Sequence, residues 1–231
     1  MKPLIKVCGM READNIRAVE ALGIDWMGFI FWPKSKRYVS KLPEYMPVHA
    51  KRVGVFVDED IEQVKRIADD FALDIIQLHG HESPDYIRSL FSQSSTLDSK
   101  PSIIKAFNIA SAADIEATKP YEGIVDYFLF DTRCPLCGDT VAPNLGIAPL
   151  PGGTGQQFDW SILSAYDGST PFLLSGGIGP DDVPRLRQAF ALDGFPVEKC
   201  LGIDLNSRFE TAPGLKDITA LHRFLCSLSI P

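Results

Sequence analysis

The sequence predicts a single closed (β/α)8 barrel, the TIM-barrel class of α/β fold, over residues 1–231, and three observations carry that prediction. Eight short apolar runs recur along the chain, and amphipathic segments separate most of them. Several of the runs are apolar throughout rather than alternating, as parallel strands buried on both faces require. The turn after the first run reads Cys8-Gly9-Met10-Arg11, with none of the glycine spacing that marks a dinucleotide site. That disfavours the alternative, an open doubly wound sheet, and eight strands in this length fit a closed barrel.

In chain order the strands are expected at Leu4–Val7, Trp26–Phe31, Arg52–Phe56, Ile75–Leu78, Ser102–Ala106, Tyr127–Phe130, Phe172–Leu174 and Cys200–Ile203. Helices are expected where acidic or proline starts precede apolar residues at helical spacing. Arg11–Asn15 leads into Ile16, Val19 and Leu22; Asp58–Asp60 leads into Ile61, Val64 and Ile67; Pro180–Asp182 leads into Val183 and Leu186. The stretch from Thr132 to Gly155 is rich in proline, glycine and cysteine and reads as a long loop after the sixth strand.

Composition narrows the function classes. Net charge is −7, which argues against nucleic acid or an anionic membrane as the main partner. It leaves room for a small anionic substrate, because backbone N–H groups at a turn bind phosphate without cationic side chains. No apolar stretch approaches the ~20 residues that span a bilayer, and Met1–Val7 runs directly into a strand, so a cytosolic protein without a leader is expected. Five cysteines do not suggest a disulfide framework. Cys134 and Cys137 lack the second ligand pair of a zinc site, and Cys200 and Cys226 read as core residues.

In a barrel of this class the C-terminal ends of the strands face the active site. That places Cys8, Phe31, Phe56, Gln77–His79, Lys105, Asp131, Ser175 and Asp204 near one mouth. Cys8 is either a small buried hydrophobe or a thiol that a neighbouring cation or helix start converts into a usable base. Asp131 follows three apolar residues and is either a turn aspartate or a carboxyl whose burial suits a general acid. Asp204 either contacts substrate or orients loop N–H groups. His79 is either a base or structural. Three cations fall within Lys34–Arg37, forming a solvated loop or presenting Arg37 to a substrate carboxylate. Glycine-rich segments at Gly152–Gly155 and Ser175–Gly177, with the Asn206-Ser207 turn, read as a phosphate cradle.

Taken together, several segments resemble the phosphoribosylanthranilate isomerases of tryptophan biosynthesis. They are Lys6–Arg11, Gly28–Phe31 with Ser35–Arg37, Val53–Val57, Gln77–Gly80, Gly152–Gly155 with Phe158–Trp160, Leu174–Ile178 and Asp204–Glu210. The resemblance spans essentially the whole chain and implies an Amadori rearrangement of N-(5-phosphoribosyl)anthranilate to 1-(2-carboxyphenylamino)-1-deoxyribulose 5-phosphate. It implies Asp131 as general acid, Cys8 as general base and Arg37 as the partner of the anthranilate carboxylate. Gly153, Gly155, Ser175, Gly176, Gly177, Asn206 and Ser207 fall in the phosphate site, with His79 and Asp204 lining the substrate site. The substrate's protonated imine serves as the electron sink, so no metal or organic cofactor is implied, and a monomer is expected. The chain departs from the family pattern in a longer passage from Arg133 to Pro151, read as a lid, and in Lys36 where proline is common.

Other readings are weaker. Indoleglycerol-phosphate synthase chemistry calls for catalytic lysines, and only Lys105 stands in a comparable place. The histidine-pathway sugar isomerase uses two aspartates, where this chain has Cys8. A non-catalytic phosphate binder on the same barrel would need neither Cys8 nor Asp131.

Overall fold

The computed structural model describes residues 3–90, 100–131 and 160–228. Eight parallel strands close into a barrel: β1 (Leu4–Val7), β2 (Trp26–Ile30), β3 (Lys51–Phe56), β4 (Ile75–Leu78), β5 (Ser102–Asn108), β6 (Tyr127–Asp131), β7 (Phe172–Ser175) and β8 (Cys200–Leu205). Each pairs with its sequence neighbour, and β8 closes on β1 with Leu4 opposite Gly202 and Lys6 opposite Asp204. The predicted strands are all present. β5, β6, β7 and β8 run one or two residues further than their apolar stretches, ending in Asn108, Asp131, Ser175 and Leu205. Ladder hydrogen bonds continue into these polar ends regardless of side-chain hydropathy, and that is where the site lies.

The helices packed outside are α1 (Ala13–Glu20), α2 (Ile61–Asp70), α3 (Pro84–Leu90), α4 (Ala112–Glu116), α5 (Val183–Phe190) and α6 (Ile218–Ser227). Asp60 caps α2 by accepting the N–H of Glu62 at 2.9 Å, as its place before Ile61 predicts. No helix joins β2 to β3. That connection carries Pro33, Pro43 and Pro47, each without an N–H to donate, and wraps instead around Glu20 at the end of α1. The buried Glu20 carboxylate accepts the N–H groups of Val48, His49 and Ala50 and the hydroxyl of Tyr45. A short antiparallel pair, β9 (Glu210–Ala212) with β10 (Leu215–Lys216), follows β8 and was not legible as strands in the sequence.

Two hydrophobic layers hold the barrel. Leu4, Trp26, Val53, Ile75, Ile104, Leu129 and Leu173 fill its interior, while a larger cluster including Phe29, Phe56, Phe128, Phe130 and Phe172 packs strands against helices. At the strand N-termini, Asp25, Asp74 and Asp126, each just before an even-numbered strand, accept N–H groups of Ile5, Arg52 and Ile103 on the preceding odd-numbered one. These are stability devices on the face away from the site. Asp126→Ala is expected to lower unfolding free energy by about 1 kcal/mol with kcat unchanged, measured by urea denaturation beside a rate assay. Among the described residues no helix is long and apolar enough to cross a membrane.

Candidate active site

The site is built around a set of buried charges at the C-terminal ends of β8 and β1. Alternation along β1 puts Leu4, Lys6 and Cys8 on one face, and Leu4 packs against the interior cluster, so Lys6 and Cys8 also point inward. Lys6 is wholly buried, and its Nζ donates to Asp204 Oδ1 at 2.8 Å. Asp204 Oδ2 accepts the Ser175 hydroxyl at 3.4 Å, so one carboxylate ties β1, β8 and β7 together. Cys8 is 4% exposed. Burial pushes its thiol above the ordinary range; Lys6 pulls it down, Asp204 pushes it up and Lys216 pulls it down again. For Lys6 burial acts downward, but Asp204 and Cys8 hold its pKa above the ordinary lysine value.

Beside Cys8 lies a second charge group. Arg37 reaches across Gly9, where a Cβ would come within 2.6 Å of the arginine Cδ. Its guanidinium meets Glu210 along one edge, Nε donating at 2.8 Å to Oε1 and Nη2 at 2.6 Å to Oε2. Lys216, also wholly buried, donates to Glu210 Oε1 at 2.6 Å and to Asn206 Oδ1 at 2.9 Å. The β9–β10 turn therefore brings a glutamate and a lysine six positions apart onto the arginine of the β2 loop. Burial alone would raise the Glu210 carboxyl, but Arg37 and Lys216 hold it below the ordinary range.

Asp131 ends β6 with its side chain 2% exposed, and His79, just past β4, places Nε2 4.0 Å from Asp131 Oδ2. The Gln77 amide nitrogen lies 3.3 Å from His79 Nδ1. With Gln77 donating there, the imidazole proton sits on Nε2, toward Asp131. His79 is thus beside the candidate acid. The β7 and β8 loops enclose a small cleft lined by Ser175 through Ile178 and by Asn206, Ser207 and Arg208, with Asp204, ion-paired to Lys6, at its base. Gly176 and Gly177 both adopt left-handed backbone there, at φ 104° and 65°. Gly153, Gly155 and the Cys134/Cys137 pair lie outside the described residues.

Some expectations are corrected. Lys105 does not face the mouth; the interior face of β5 belongs to its neighbours Ile104 and Ala106. Its ammonium donates to Gly80 O at 2.7 Å and to the buried Glu82 at 3.1 Å, bracing the loop after β4. Phe31 and Phe56 point outward and stack on one another at 5.3 Å between centroids, with Phe71 edge-on to Phe31. Cys226 is exposed on α6 rather than in the core, whereas Cys200 packs against the core as expected, partly buried. A larger cleft of about 530 Å³ lies between the β2 loop and α2. Its lining includes Phe31 but sets the carboxylates Glu59, Asp60 and Glu62 against one cation, Arg66, so it does not suit an anionic substrate.

This geometry meets a family model described as N-(5'-phosphoribosyl)anthranilate (PRA) isomerase, which matches residues 5–226. The chain belongs to that family. A phosphoribosylanthranilate isomerase of Phocaeicola vulgatus is 48% identical over 225 residues, covering 97% of each chain. One from Parabacteroides distasonis is 46% identical over 234 residues, covering 99% of this chain and 94% of the relative. Among solved structures, the Thermotoga maritima phosphoribosylanthranilate isomerase superposes with a TM-score of 0.74 at 29% identity over 98% of both chains. A phosphoribosylanthranilate isomerase in complex with reduced 1-(o-carboxyphenylamino)-1-deoxyribulose 5-phosphate superposes with a TM-score of 0.72 at 27% identity, again over 98% of both. The whole-chain resemblance and the (β/α)8 prediction are both borne out.

Within this isomerase fold, sequence reasoning missed Lys6, Glu210 and Lys216. Lys6 had a usable signal: a lysine two residues before Cys8 on a strand shares its face. Glu210 and Lys216 had none, since only the fold turns them toward Arg37. The room around Cys8 comes from Gly28 on β2, where a Cβ would fall 2.7 Å from Cys8 Sγ and 3.1 Å from its Cα. Gly28→Ala is therefore expected to push the thiol aside and lower kcat about 10- to 100-fold, as small misplacements of a reacting group do. Circular dichroism beside steady-state kinetics checks that the loss comes without unfolding.

Proposed function

We propose that the chain performs the isomerisation its family is named for, the Amadori rearrangement of N-(5'-phosphoribosyl)anthranilate, with Asp131 as general acid and Cys8 as general base. The observation that carries this reading is the pairing of a buried thiol and a buried carboxyl at the C-terminal ends of β1 and β6, the face that bears chemistry in this fold. The glycine cleft of the β7 and β8 loops suits the substrate phosphate. The Arg37 guanidinium, held in place by Glu210, suits the anthranilate carboxylate.

The proton balance closes without an added reagent. Asp131 gives its proton to the furanose ring oxygen, the C1′–O bond breaks, and the anilino nitrogen forms an iminium with C1′. The Cys8 thiolate takes the C2′ proton, and the C2′–H electrons move into the iminium, giving an enolamine. Ketonisation adds a proton at C1′, equal to the one Cys8 must lose to return to thiolate, and releases one from the C2′ hydroxyl, equal to the one Asp131 must regain. His79 beside Asp131 is suited to carry that charge. The iminium is the electron sink, so the chemistry asks for neither metal nor organic cofactor, and the enzyme is read as a cytosolic monomer.

The test is turnover of phosphoribosylanthranilate generated in situ, followed by loss of its anthranilate-type fluorescence with EDTA present. Steady turnover is the expected result. A folded protein that leaves the fluorescence unchanged overturns the reading.

A further inference from the structure

A thiol serves as a base only as its thiolate, and a thiolate at a site this buried needs a cation in contact with it. The described residues around Cys8 supply an uneven set of charges. Lys6 lies beneath it on β1, Asp204 beside it on β8 and Lys216 on β10, while β2 contributes only Gly28. Asp204 accepts from Lys6, and Glu210 accepts from both Lys216 and Arg37. Three cations thus face two carboxylates, and an ionised Cys8 would make the set neutral.

Of the two lysines, Lys6 is the better placed. It stands two residues from Cys8 on the same inward face of β1, whereas Lys216 comes from β10 and is committed to Glu210 and Asn206. Asp204 competes for the same ammonium at 2.8 Å. We infer that Lys6 is the counter-ion of the Cys8 thiolate and a positioning residue for the base, with Asp204 setting how much of its charge Cys8 receives. This rests on the isomerase reading only in giving the thiolate its task.

The inference predicts opposite effects from the two members of one ion pair. Lys6→Met removes the cation on the thiol's own strand face, so the Cys8 thiolate should appear at higher pH than in wild type. Asp204→Asn leaves Lys6 undivided, so the thiolate should appear at lower pH. Lys6→Met/Asp204→Asn replaces the pair by two neutral groups, which spares the barrel a lone buried charge. Because Lys6 shares the strand face of Cys8 while Asp204 reaches it from the neighbouring strand, the double variant should still titrate above wild type.

The measurement is the ultraviolet thiolate absorbance of each protein against pH, minus that of the matching Cys8→Ala protein. It needs no substrate and does not depend on reagent access to a buried sulfur. At neutral pH the double variant should also lose about tenfold or more in kcat/KM, the loss expected for each unit by which the thiol rises. A midpoint in the double variant at or below that of wild type, or a rise in Asp204→Asn, overturns the role of Lys6, whatever the activity. Absence of wild-type turnover with the opposite shifts intact would instead overturn the isomerase reading and leave the ion pair's action on Cys8 standing.

Discussion

Cys8→Ala and Asp131→Asn are each expected to lower kcat by about 10²- to 10⁴-fold, the usual worth of a positioned proton-transfer group. The reason is chemical rather than steric. Alanine leaves no atom able to receive the C2′ proton, and asparagine keeps the shape of Asp131 while losing the proton it must deliver. Neither side chain belongs to the cleft of the β7 and β8 loops or to Arg37, so affinity for a reduced product analogue should change little. The double variant is expected to be hardly slower than the worse single one, since residues that act in one sequence are not additive. Stopped-flow fluorescence for turnover and calorimetry for analogue binding separate these terms. If product-analogue binding disappears in both variants, the two groups are structural supports of the pocket and the acid/base assignment fails.

The largest effect on stability is expected from Glu210. Its side chain is 5% exposed, and it accepts from Arg37 and Lys216 as well as from the N–H of Gly214. Removing one partner of a buried ionic cluster leaves the others desolvated without compensation, a cost of about 3–5 kcal/mol. Glu210→Ala should therefore lower Tm by roughly 10 °C in a chain of this size. KM should also rise, because Arg37 would lose the partner that holds its guanidinium in place. Glu210→Gln should recover part of the Tm by keeping one acceptor, yet still raise KM. The pH dependence follows from the lowered carboxyl of Glu210. Its contribution is fully present above the ordinary carboxylate range and is lost as pH falls through its lower folded value. The Tm gap between wild type and Glu210→Gln should accordingly narrow only in acid. Calorimetric scans of the three proteins from neutral to acidic pH measure this, and a gap that widens in acid would contradict it.

The identity of the fold was legible because a parallel barrel writes itself as spaced apolar runs, and all eight strands appear where those runs stand. The ends of the strands were less legible. Asn108, Asp131, Ser175, Asp204 and Leu205 belong to strands by their ladder hydrogen bonds, and hydropathy does not report those. The missing helix between β2 and β3 had a local signal in three prolines, whereas the capture of that segment by Glu20 did not.

The candidate site divides along the same line. Cys8, Arg37, Asp131 and the Ser175–Gly177 loop stood out because residue type, position at a strand end and glycine spacing are local properties. What those residues touch is not. Asp204 meets Lys6 across 198 positions of sequence, and Glu210 meets Arg37 across 173. The sequence by itself determined that the chain forms a barrel and that Cys8, Asp131, Ser175 and Asp204 stand at the C-terminal ends of its strands. Only the closed sheet decided that Lys6 is buried against Asp204 and Cys8, that Lys105 is turned away to brace Glu82, and that Arg37 is steadied by Glu210. The physical reason is that side-chain alternation along a strand is a local rule, while the partner of a buried charge is chosen by which strands and loops the barrel brings together.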